Sequence, residues 1–541
     1  MLLMLPIPAG ASVDRGSALH AYMRGRLADG DGAPALALRS YRDALESDPD
    51  SLEIARRSYV HGLISGDMAL ALRSARILDG GGHLPRDGTL LYICDALNRR
   101  DWTAARGFVD RMVTESNFAF LAPVVRSWIA IGEGKHGPLS IDASDRFASL
   151  GRRYLDEHVA LQALSSGYLQ TAQPAINQAL ALKGRSGAET RLLFAGHLAA
   201  RGKIHEALAL LPADDADFAR ARADIASREG LSAFRKPLAA REGFARLLYR
   251  LADDISLEGS TAMLSVRLSR IALFADMASP SAHIIAAKML TRAALPAFGL
   301  EEARKAAAAP WYRGLAETEM IDALDASGNR QQAIELARAR AEEQGADGDR
   351  QVRLGQLLSE GKDFSGAATA FRAAQASHSA GSLPWALLLL EGSALEQAGR
   401  WDDARAVLEQ AHRLAPDEPV VLNYLGYAQI ERRQNVEAAL ELLKKASLLK
   451  PDDPSITDSL GWAQFLTGDV DAAVPVLERA AAAAPTDATI NEHLGDALWA
   501  AGRRYEARYA WRAASLFAEG KAAERLAGKN KEGMRPEYAA R

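Results

Sequence analysis

Residues able to support catalysis or metal binding are few in this sequence and widely separated. The eleven histidines are scattered, and the nearest pair, His197 and His205, is too far apart for two ligands on adjacent helical turns. Asp214, Asp215 and Asp217 cluster like the start of a calcium loop, but the glycine and the closing glutamate of such a loop are missing. We interpret these aspartates as a solvated turn between helices.

The common motifs of nucleotide-binding and hydrolytic enzymes are also missing. Gly132-Glu133-Gly134-Lys135 lacks the spacing and the hydroxyl residue with which a P-loop holds phosphate and magnesium. No HExxH or GxSxG pattern occurs. Cys94 is the only cysteine, which excludes an intramolecular disulfide and a cysteine-rich zinc site, and its apolar neighbours predict a buried side chain. We therefore predict no catalytic residue, no cofactor and no metal.

The composition is that of a globular, mainly helical protein. Lysine and arginine total 65 against 69 aspartate and glutamate, so the net charge of −4 lacks the basic excess usual in nucleic-acid-binding proteins. Hydrophobic residues make up 48% of the chain, as in other folded proteins. Aromatic residues are only 6% and alanine is abundant, which favours helix over sheet. A chain of 541 residues needs several domains or a repetitive architecture.

The elements that would position a functional residue follow a repeat of 34 or 35 residues, clearest in the last third of the chain. The repeated glycines are Gly392, Gly426, Gly461 and Gly495. At nearly constant offsets each glycine is followed by a small residue, a large apolar residue and an alanine. The large residues are Leu408, Leu443, Leu477 and Trp511. The first three units close with Pro416, Pro451 and Pro485.

Each position of the repeat has a physical reason. The glycine and the alanines fit where two helices approach too closely for a larger side chain. We expect the large apolar residue to fill the gap between neighbouring helix pairs. Proline is tolerated in the first turn of the next helix, where its missing N–H costs nothing. Gly399, Gly468 and Gly502 mark the turn within a pair, where a positive φ favours glycine.

This pattern resembles the tetratricopeptide repeat (TPR), a helix–turn–helix unit of about 34 residues. Near the N-terminus the same offsets recur at Gly25, Ala37, Tyr41, Ala44 and Pro49. The resemblance implies an all-α fold, a right-handed superhelical α-solenoid in which each helix pair buries its apolar stripe against its neighbours. The repeat fails over about 213–310, where leucines at helical spacing still predict divergent helical pairs.

The pattern predicts a linear organisation of six segments. They are a signal peptide or apolar N-terminus at 1–13, TPR-like repeats at 14–212, divergent helical pairs at 213–310, a C-terminal TPR array at 311–515, a capping helix at 516–527 and a mobile tail at 528–541. We expect an end cap because a terminal repeat must present a polar face to solvent.

The first thirteen residues bear on where the protein resides. The apolar stretch 1–7 and the small residues 9–11 are typical of a signal peptide, although the usual basic start is missing. The alternative is the apolar N-terminus of a cytoplasmic protein. The longest later apolar run, 385–390, is far shorter than the ~20 residues that a membrane helix needs. We expect a periplasmic or envelope-associated protein without a transmembrane span.

Helical geometry selects the surface of the array that would bind a ligand. At about 100° per residue, the Leu-Gly pair at positions seven and eight of the first helix points into its own pair. Positions two, five, nine and twelve lie on the opposite side, which lines the concave surface of a right-handed array. In the three clearest units this surface contains Asn423, Tyr427 and Ile430, then Asp458, Trp462 and Phe465, then Glu492, Asp496 and Trp499.

These residue types are suited to binding a polypeptide. Tryptophan and tyrosine dominate protein interfaces, and the carboxylates would favour a basic or N–H-rich segment and repel a carboxylate. The alternative is that Trp462 and Phe465 pack against the next repeat and widen the core. The lysine and asparagine clamp with which some TPR domains hold acidic chaperone tails is absent from positions five and nine.

A closer resemblance is found in Leu-Asn-Tyr-Leu-Gly-Tyr at 422–427, Asp-Ser-Leu-Gly-Trp at 458–462, Glu-His-Leu-Gly-Asp at 492–496 and Ala-Arg-Tyr-Ala-Trp at 507–511. These strings are similar to the C-terminal repeats of proteobacterial envelope TPR proteins, among them an outer-membrane TPR lipoprotein that is the adaptor of a carboxyl-terminal processing protease. The similarity implies a scaffold that holds a partner protein, such as an envelope protease or its substrates. The lipid-anchor cysteine of that lipoprotein is not found here.

Two other functions remain open from the sequence. One is a TPR regulatory subunit of a membrane-associated enzyme, secretion or polysaccharide complex. The other is an enzyme with an unrecognised site in the divergent segment 213–310. The identity of the partner and the oligomeric state do not follow from the sequence.

Overall fold

The computed structural model describes residues 14–135, 139, 148–181, 187–256, 261–343, 348–378 and 383–538. In these ranges the chain forms helices and no strands, as an all-α fold requires. None of the helices described is long and apolar enough to cross a membrane. The predicted signal peptide at 1–13 lies outside the described residues. The chain divides into an N-terminal unit, Met1–Asp347, and a C-terminal unit, Gly348–Arg541.

The N-terminal unit contains helices that pack mostly as consecutive antiparallel pairs. They are α1 (Arg15–Gly30), α2 (Pro34–Ser47), α3 (Leu52–Ser65), α4 (Met68–Gly80), α5 (Gly88–Asn98), α6 (Trp102–Thr114), α7 (Ala122–Gly132), α8 (Ala148–Ser166), α9 (Leu169–Ala181), α10 (Ala188–Ala200), α11 (Ile204–Ala209), α12 (Ala219–Ser227), α13 (Ala240–Ile255), α14 (Ala262–Ala275), α15 (Pro280–Arg292), α16 (Pro296–Ala307), α17 (Arg313–Ala326) and α18 (Arg330–Ala341).

The C-terminal unit is a regular series of five helix pairs followed by one more helix. Its helices are α19 (Gly348–Glu360), α20 (Phe364–Gln375), α21 (Trp385–Gln397), α22 (Trp401–Leu414), α23 (Pro419–Glu431), α24 (Val436–Leu449), α25 (Pro454–Leu466), α26 (Val470–Ala483), α27 (Ala488–Ala500), α28 (Arg504–Ser515) and α29 (Gly520–Glu532). The first helices of neighbouring pairs, α23, α25 and α27, contact one another. Its core consists of small separate clusters, as expected for a thin stack of repeats.

The glycines of the repeat occupy the predicted positions. Gly399, Gly468 and Gly502 have φ values of 76°, 91° and 82°, so each turn within a pair uses the left-handed conformation that glycine favours. A Cβ atom on Gly461 would lie 2.7 Å from Leu477 Cγ. The close approach predicted for paired helices is therefore present.

The large apolar residue of a repeat contacts two helices. Leu477 packs directly over Gly461 of its own pair and also belongs to a core cluster with Leu494 and Leu498 of the next pair, so it lies between neighbouring pairs as expected. One expectation is wrong in detail, because Pro416 and Pro451 do not open the next helix but follow the C-cap residues of α22 and α24. The prolines at the start of a first helix are instead Pro419 and Pro454.

In the divergent segment, two helices fold back on the preceding repeats. Helices α13 and α14 pack against α3, α5 and α7, the first helices of N-terminal pairs. Arg267 of α14 forms an ion pair with Asp87 at the start of α5 at 3.0 Å, and Asn98 Nδ2 donates to the Phe274 carbonyl at 3.0 Å. The first-helix surface of these N-terminal repeats is therefore occupied by the chain itself.

Two predicted boundaries also differ from the structure. The C-terminal unit begins at Gly348 rather than at 311, because Trp311 and Tyr312 are buried in the N-terminal core and Arg340 pairs with Asp217 at 2.8 Å. The predicted cap at 516–527 is helix α29, which starts at Gly520 and continues to Glu532. Residues 528–532, expected in a mobile tail, are helical because the fully buried Lys529 anchors them.

Candidate functional site

The candidate site is the surface formed by α21, α23, α25 and α27, which we call the first-helix face of the C-terminal unit. A cavity of about 350 Å³ opens on it between these helices. Its lining includes three residues that the sequence predicted, Asn423, Tyr427 and Asp458. It also includes Glu396, Ser459 and Asp487. The fold thus brings residues from four helices to one opening.

Two of these helices, α25 and α27, have first turns that are capped by an aspartate of the preceding loop. Asp487 Oδ1 accepts hydrogen bonds from the backbone N–H groups of Thr489 and Ile490, at 2.9 and 3.0 Å. Asp453 does the same for α25 through Ser455 and Ile456. Such caps stabilise a helix by ~1 kcal/mol each and fix where its first turn begins. The position of the cavity mouth therefore follows from these loops.

The charge of the cavity is negative. Glu396, Asp458 and Asp487 are the charged residues of its lining, which contains no lysine or arginine. Asn423 Oδ1 is buried and has no hydrogen-bond partner in the part of the chain that the structure describes. Burial, together with the charges of Glu431 and Asp458, raises the pKa of Tyr427 above its ordinary value, so the phenol keeps its proton. The surface thus offers acceptors to a donor-rich ligand.

Two carboxylates of the cavity, Asp458 and Glu396, have hydrogen-bond or ion-pair partners in neighbouring residues. Asp458 Oδ2 lies 2.9 Å from His493 Nδ1. Glu396 accepts from the Tyr424 hydroxyl at 2.6 Å and pairs with Arg432 at 2.8 Å. These contacts hold the carboxylates in fixed directions, which reduces the entropy lost when a ligand binds them.

Trp462 and Phe465 lie away from the cavity, within the stack of helices. The Trp462 indole is only 2% exposed and stacks on the His493 ring with centroids 3.9 Å apart. Its Nε1 donates to Glu431 at 2.7 Å, and Phe465 packs beside it with ring centroids 5.1 Å apart. Ile430, at position twelve of α23, is also buried, at 2% exposure. These contacts are the ones expected if the side chains pack against the next repeat and widen the core, which was the alternative to ligand binding.

Glu492 and Asp496 are held by the last helix of the chain. Arg525 donates to both oxygens of Glu492 at 2.7 Å, and Lys529 Nζ contacts Glu492 at 2.6 Å and Asp496 at 2.7 Å. Burial alone would raise the pKa of Glu492, but the hydrogen bonds from Arg525 and Lys529 outweigh it and lower the pKa. For Asp496 burial outweighs the same lysine and the pKa is raised.

The side chain of Trp499, the last predicted site residue, is also surrounded by residues near the end of the chain. Its ring lies 5.3 Å from that of Trp511, and the Arg504 guanidinium lies over it at 5.1 Å. Gly533, in the left-handed conformation after α29, lies against the same indole. Trp499 is half-buried by these groups. Residues near the end of the chain therefore cover part of the surface around Glu492, Asp496 and Trp499.

Several residues of the cavity were not predicted from the sequence, although the rule of helical positions applies to one of them. Glu396 is at position twelve of α21, one of the positions selected by helical geometry, in a repeat that was not included among the three clearest. Asp487 lies in the loop before α27, which helical positions do not describe. Ser459 is at position six, next to the selected position five. Loop residues and small residues give no periodic signal.

The residues considered for chemistry in the sequence have structural contacts. Cys94 is fully buried, as predicted, and burial raises the pKa of its thiol well above the ordinary value. Asp217 pairs with Arg340. Within the described ranges, no group of three or more His, Cys, Asp or Glu residues has a geometry that could hold a metal ion.

Comparison with known proteins supports the repeat in one part of the chain. A family model of the tetratricopeptide repeat matches residues 395–460. No curated protein matches the chain. A MamA structure designated MSR-1 is 20% identical over 31% of this chain and 95% of its own, with a TM-score of 0.26. TTC0263, a thermophilic TPR protein of Thermus thermophilus, is 21% identical over 34% of this chain and 97% of its own, with a TM-score of 0.30. Residues 395–460 are thus similar to tetratricopeptide repeats.

Proposed function

We propose that this chain is a non-catalytic scaffold that binds a partner polypeptide on the first-helix face of its C-terminal unit. The observation that carries the proposal is the cavity in which Asn423, Tyr427 and Asp458 meet. It lies on the surface with which helical repeats generally bind peptides. On the corresponding side of the N-terminal repeats, the first helices α3, α5 and α7 are instead packed against α13 and α14.

The chemistry of the cavity favours a partner segment with lysine or arginine. Three carboxylates and an unpaired amide oxygen line it, and two tyrosines, Tyr424 and Tyr427, supply aromatic faces. A cationic side chain would pair with the carboxylates and lie against a ring, an arrangement that contributes ~0.5–2 kcal/mol. The chain itself uses the same chemistry one repeat later, where Arg525 and Lys529 bind Glu492 and Asp496.

We test this proposal by photo-crosslinking in a lysate of the native cells, to which charged oligopeptides can be added as competitors. Tyr427 is replaced by p-benzoylphenylalanine, and the matched control carries the same residue in place of Tyr505, which is 86% exposed on α28. We expect adducts with a partner protein from position 427 that oligolysine suppresses and oligoglutamate does not. Equal adducts from both positions, or no suppression by oligolysine, would contradict binding at this face.

We also propose that the partner is a protein of the bacterial envelope, such as a protease or one of its substrates. This part of the proposal rests on the apolar segment 1–7 with the small residues 9–11, and on the resemblance of the C-terminal repeats to envelope TPR proteins. Fractionation of the source cells measures it directly. Recovery of the full-length protein with cytoplasmic markers alone would exclude an envelope partner.

A further inference from the structure

A second cavity, in the N-terminal unit, lies beside Phe234 and has no role in the proposed polypeptide binding. Its volume is about 600 Å³, within the range of 300–1,000 Å³ typical of small-molecule sites. It is bordered by α10, α13 and the segments around Phe234 and Trp311. We call it the Phe234 cavity.

Apolar and aromatic groups form the walls of the Phe234 cavity. Phe234 and Trp311 stack with ring centroids 5.0 Å apart and an interplanar angle of 22°. Leu161, Leu193 and Tyr249 line the same space. A ring or a branched aliphatic group would bury most of its surface against these side chains, at about 25 cal/mol per Å² removed from water. The cavity is therefore suited to a ligand with an apolar body.

A largely buried histidine on the cavity wall has one ring nitrogen without a hydrogen-bond partner among the described residues. His197 lines the cavity and is 2% exposed. Its Nδ1 lies 3.0 Å from the Phe234 carbonyl, which can only accept, and 3.5 Å from Arg201 Nη1, which already donates to two backbone carbonyls. The shorter contact assigns the hydrogen to Nδ1. Burial lowers the pKa of His197 to about 4, which keeps the ring neutral and Nε2 an acceptor. Because Nε2 has no hydrogen-bond partner among the described residues, it is available to an N–H or O–H group of a ligand.

The mouth of the cavity has one exposed cation without an ion-pair partner. The exposed charged residues of the lining are Arg220, which pairs with Asp224 at 3.0 Å, and Lys236, which has no ion-pair partner in the part of the chain that is described. The carboxylates are less exposed and already accept hydrogen bonds. Asp224 accepts from the Trp311 indole at 2.8 Å, Glu242 from a backbone N–H at 2.9 Å and Asp276 from another at 3.3 Å.

We propose that the Phe234 cavity binds a small organic anion with an aromatic or aliphatic body. The apolar body lies against Phe234 and Trp311, an N–H or O–H of the ligand donates to His197 Nε2, and the anionic group is held at the mouth by Lys236. The N-terminal unit is then a ligand-binding element in its own right, independent of the first-helix face.

The probe for this proposal is 8-anilinonaphthalene-1-sulfonate, which combines rings, an N–H and a sulfonate. We expect the full-length protein to bind it with increased fluorescence at one site. Lys236→Glu should weaken its binding about tenfold, because an attraction becomes a repulsion, whereas Arg235→Glu, next along the chain and outside the lining, should leave it unchanged. The uncharged analogue N-phenyl-1-naphthylamine should bind Lys236→Glu as it binds the wild type.

A steric pair of variants separates this cavity from other apolar surface. Ala233→Trp fills the mouth and should abolish binding, while Ser232→Trp, at an exposed neighbour outside the lining, should not. Circular dichroism confirms that each variant is folded. The proposal is overturned if the wild type does not bind the sulfonate, if both tryptophan variants reduce binding equally, or if Lys236→Glu has no effect.

Discussion

On the first-helix face, aromatic residues at the same repeat position take different roles according to the residue they meet. Tyr427 and Trp462 are both at position nine. Trp462 meets the ring of His493, at position six of the next first helix, and stacks on it. Tyr427 meets the smaller Ser459 at that position, so a cavity remains between the helices. The repeat pattern identified the face of the helix on which these residues lie. It could not show which of them border a cavity and which are packed, because that depends on the size of one residue in the next repeat.

Substitution of Trp462 is expected to reduce stability. Trp462→Ala removes the stack on His493 and leaves Glu431 without the indole N–H, so the free energy of unfolding of the C-terminal unit should fall by about 3–5 kcal/mol. Trp462→Phe keeps an aromatic ring in place and should lower the free energy of unfolding less. Thermal melting followed by circular dichroism ranks the stabilities of the two variants and the wild type. An alanine variant as stable as the wild type would mean that Trp462 serves binding and not packing.

Acid should destabilise the N-terminal unit through His158. This side chain is fully buried, accepts a hydrogen bond from the Trp128 indole at 2.9 Å, and has its pKa lowered by burial to about 4. The unfolded chain binds the proton near pH 6.5 and the folded chain does not, so stability present above that pH is lost as pH falls toward 4. The full effect is at most about 3 kcal/mol.

The variant His158→Gln tests this assignment, because its amide oxygen can still accept from Trp128 but does not titrate. Melting temperatures measured between pH 7 and pH 4 should fall less steeply for this variant than for the wild type. His20→Gln removes an exposed histidine and provides the control. If the two variants have the same pH dependence, His158 does not account for the acid sensitivity.

At the scale of helices, the sequence predicts regular repeats well and the elements that cover them poorly. The turn glycines and the Gly-over-Leu contacts of the C-terminal pairs follow from fixed offsets, since local sterics determine them. Helix α13 is buried on nearly every side, from Gly243 to Asp253, because it packs on several first helices at once. An apolar stripe shows which face of a helix is buried but not which helices cover it, so the partners of α13 cannot be read from its periodicity.

Helix α29 shows that the repeat spacing continues beyond the last recognisable unit. Arg525 and Lys529 reach back to Glu492, as Trp462 reaches Glu431 and His493 reaches Asp458 from the next first helix. The helix therefore takes the place of the first helix of another pair. Residues 528–532 contain no apolar side chain, which is why the sequence analysis placed the end of the helix several residues early.

Loss of the buried lysine should detach α29. Lys529→Met leaves Glu492 and Asp496 without their shared cation, a change that typically costs about 3–5 kcal/mol for a buried pair. Lys531→Met changes an exposed lysine of the same helix and should be neutral. Amide hydrogen exchange across 520–532 measures the detachment. Adding Glu492→Gln and Asp496→Asn should restore part of the protection, because no buried charge then remains unpaired.

At the scale of the whole molecule, each unit has its own core and its own opening. The N-terminal unit has a large continuous apolar cluster from Ala18 to Ala316, which α13 and α14 help to form, and the Phe234 cavity lies in this unit. The C-terminal unit has several small clusters, and its opening lies on the first-helix face. A basic polypeptide and a small anion would therefore bind to different units.

This separation predicts that the two units fold and bind independently. A fragment of residues 348–541 retains every described contact of the first-helix face, including those of α29, and should melt cooperatively with a helical spectrum. It should bind fluorescent oligolysine with the affinity of the full chain and show no binding of the anilinonaphthalene sulfonate. A fragment of residues 1–347 should show the opposite preference. Oligolysine binding that needs both fragments together would contradict this independence.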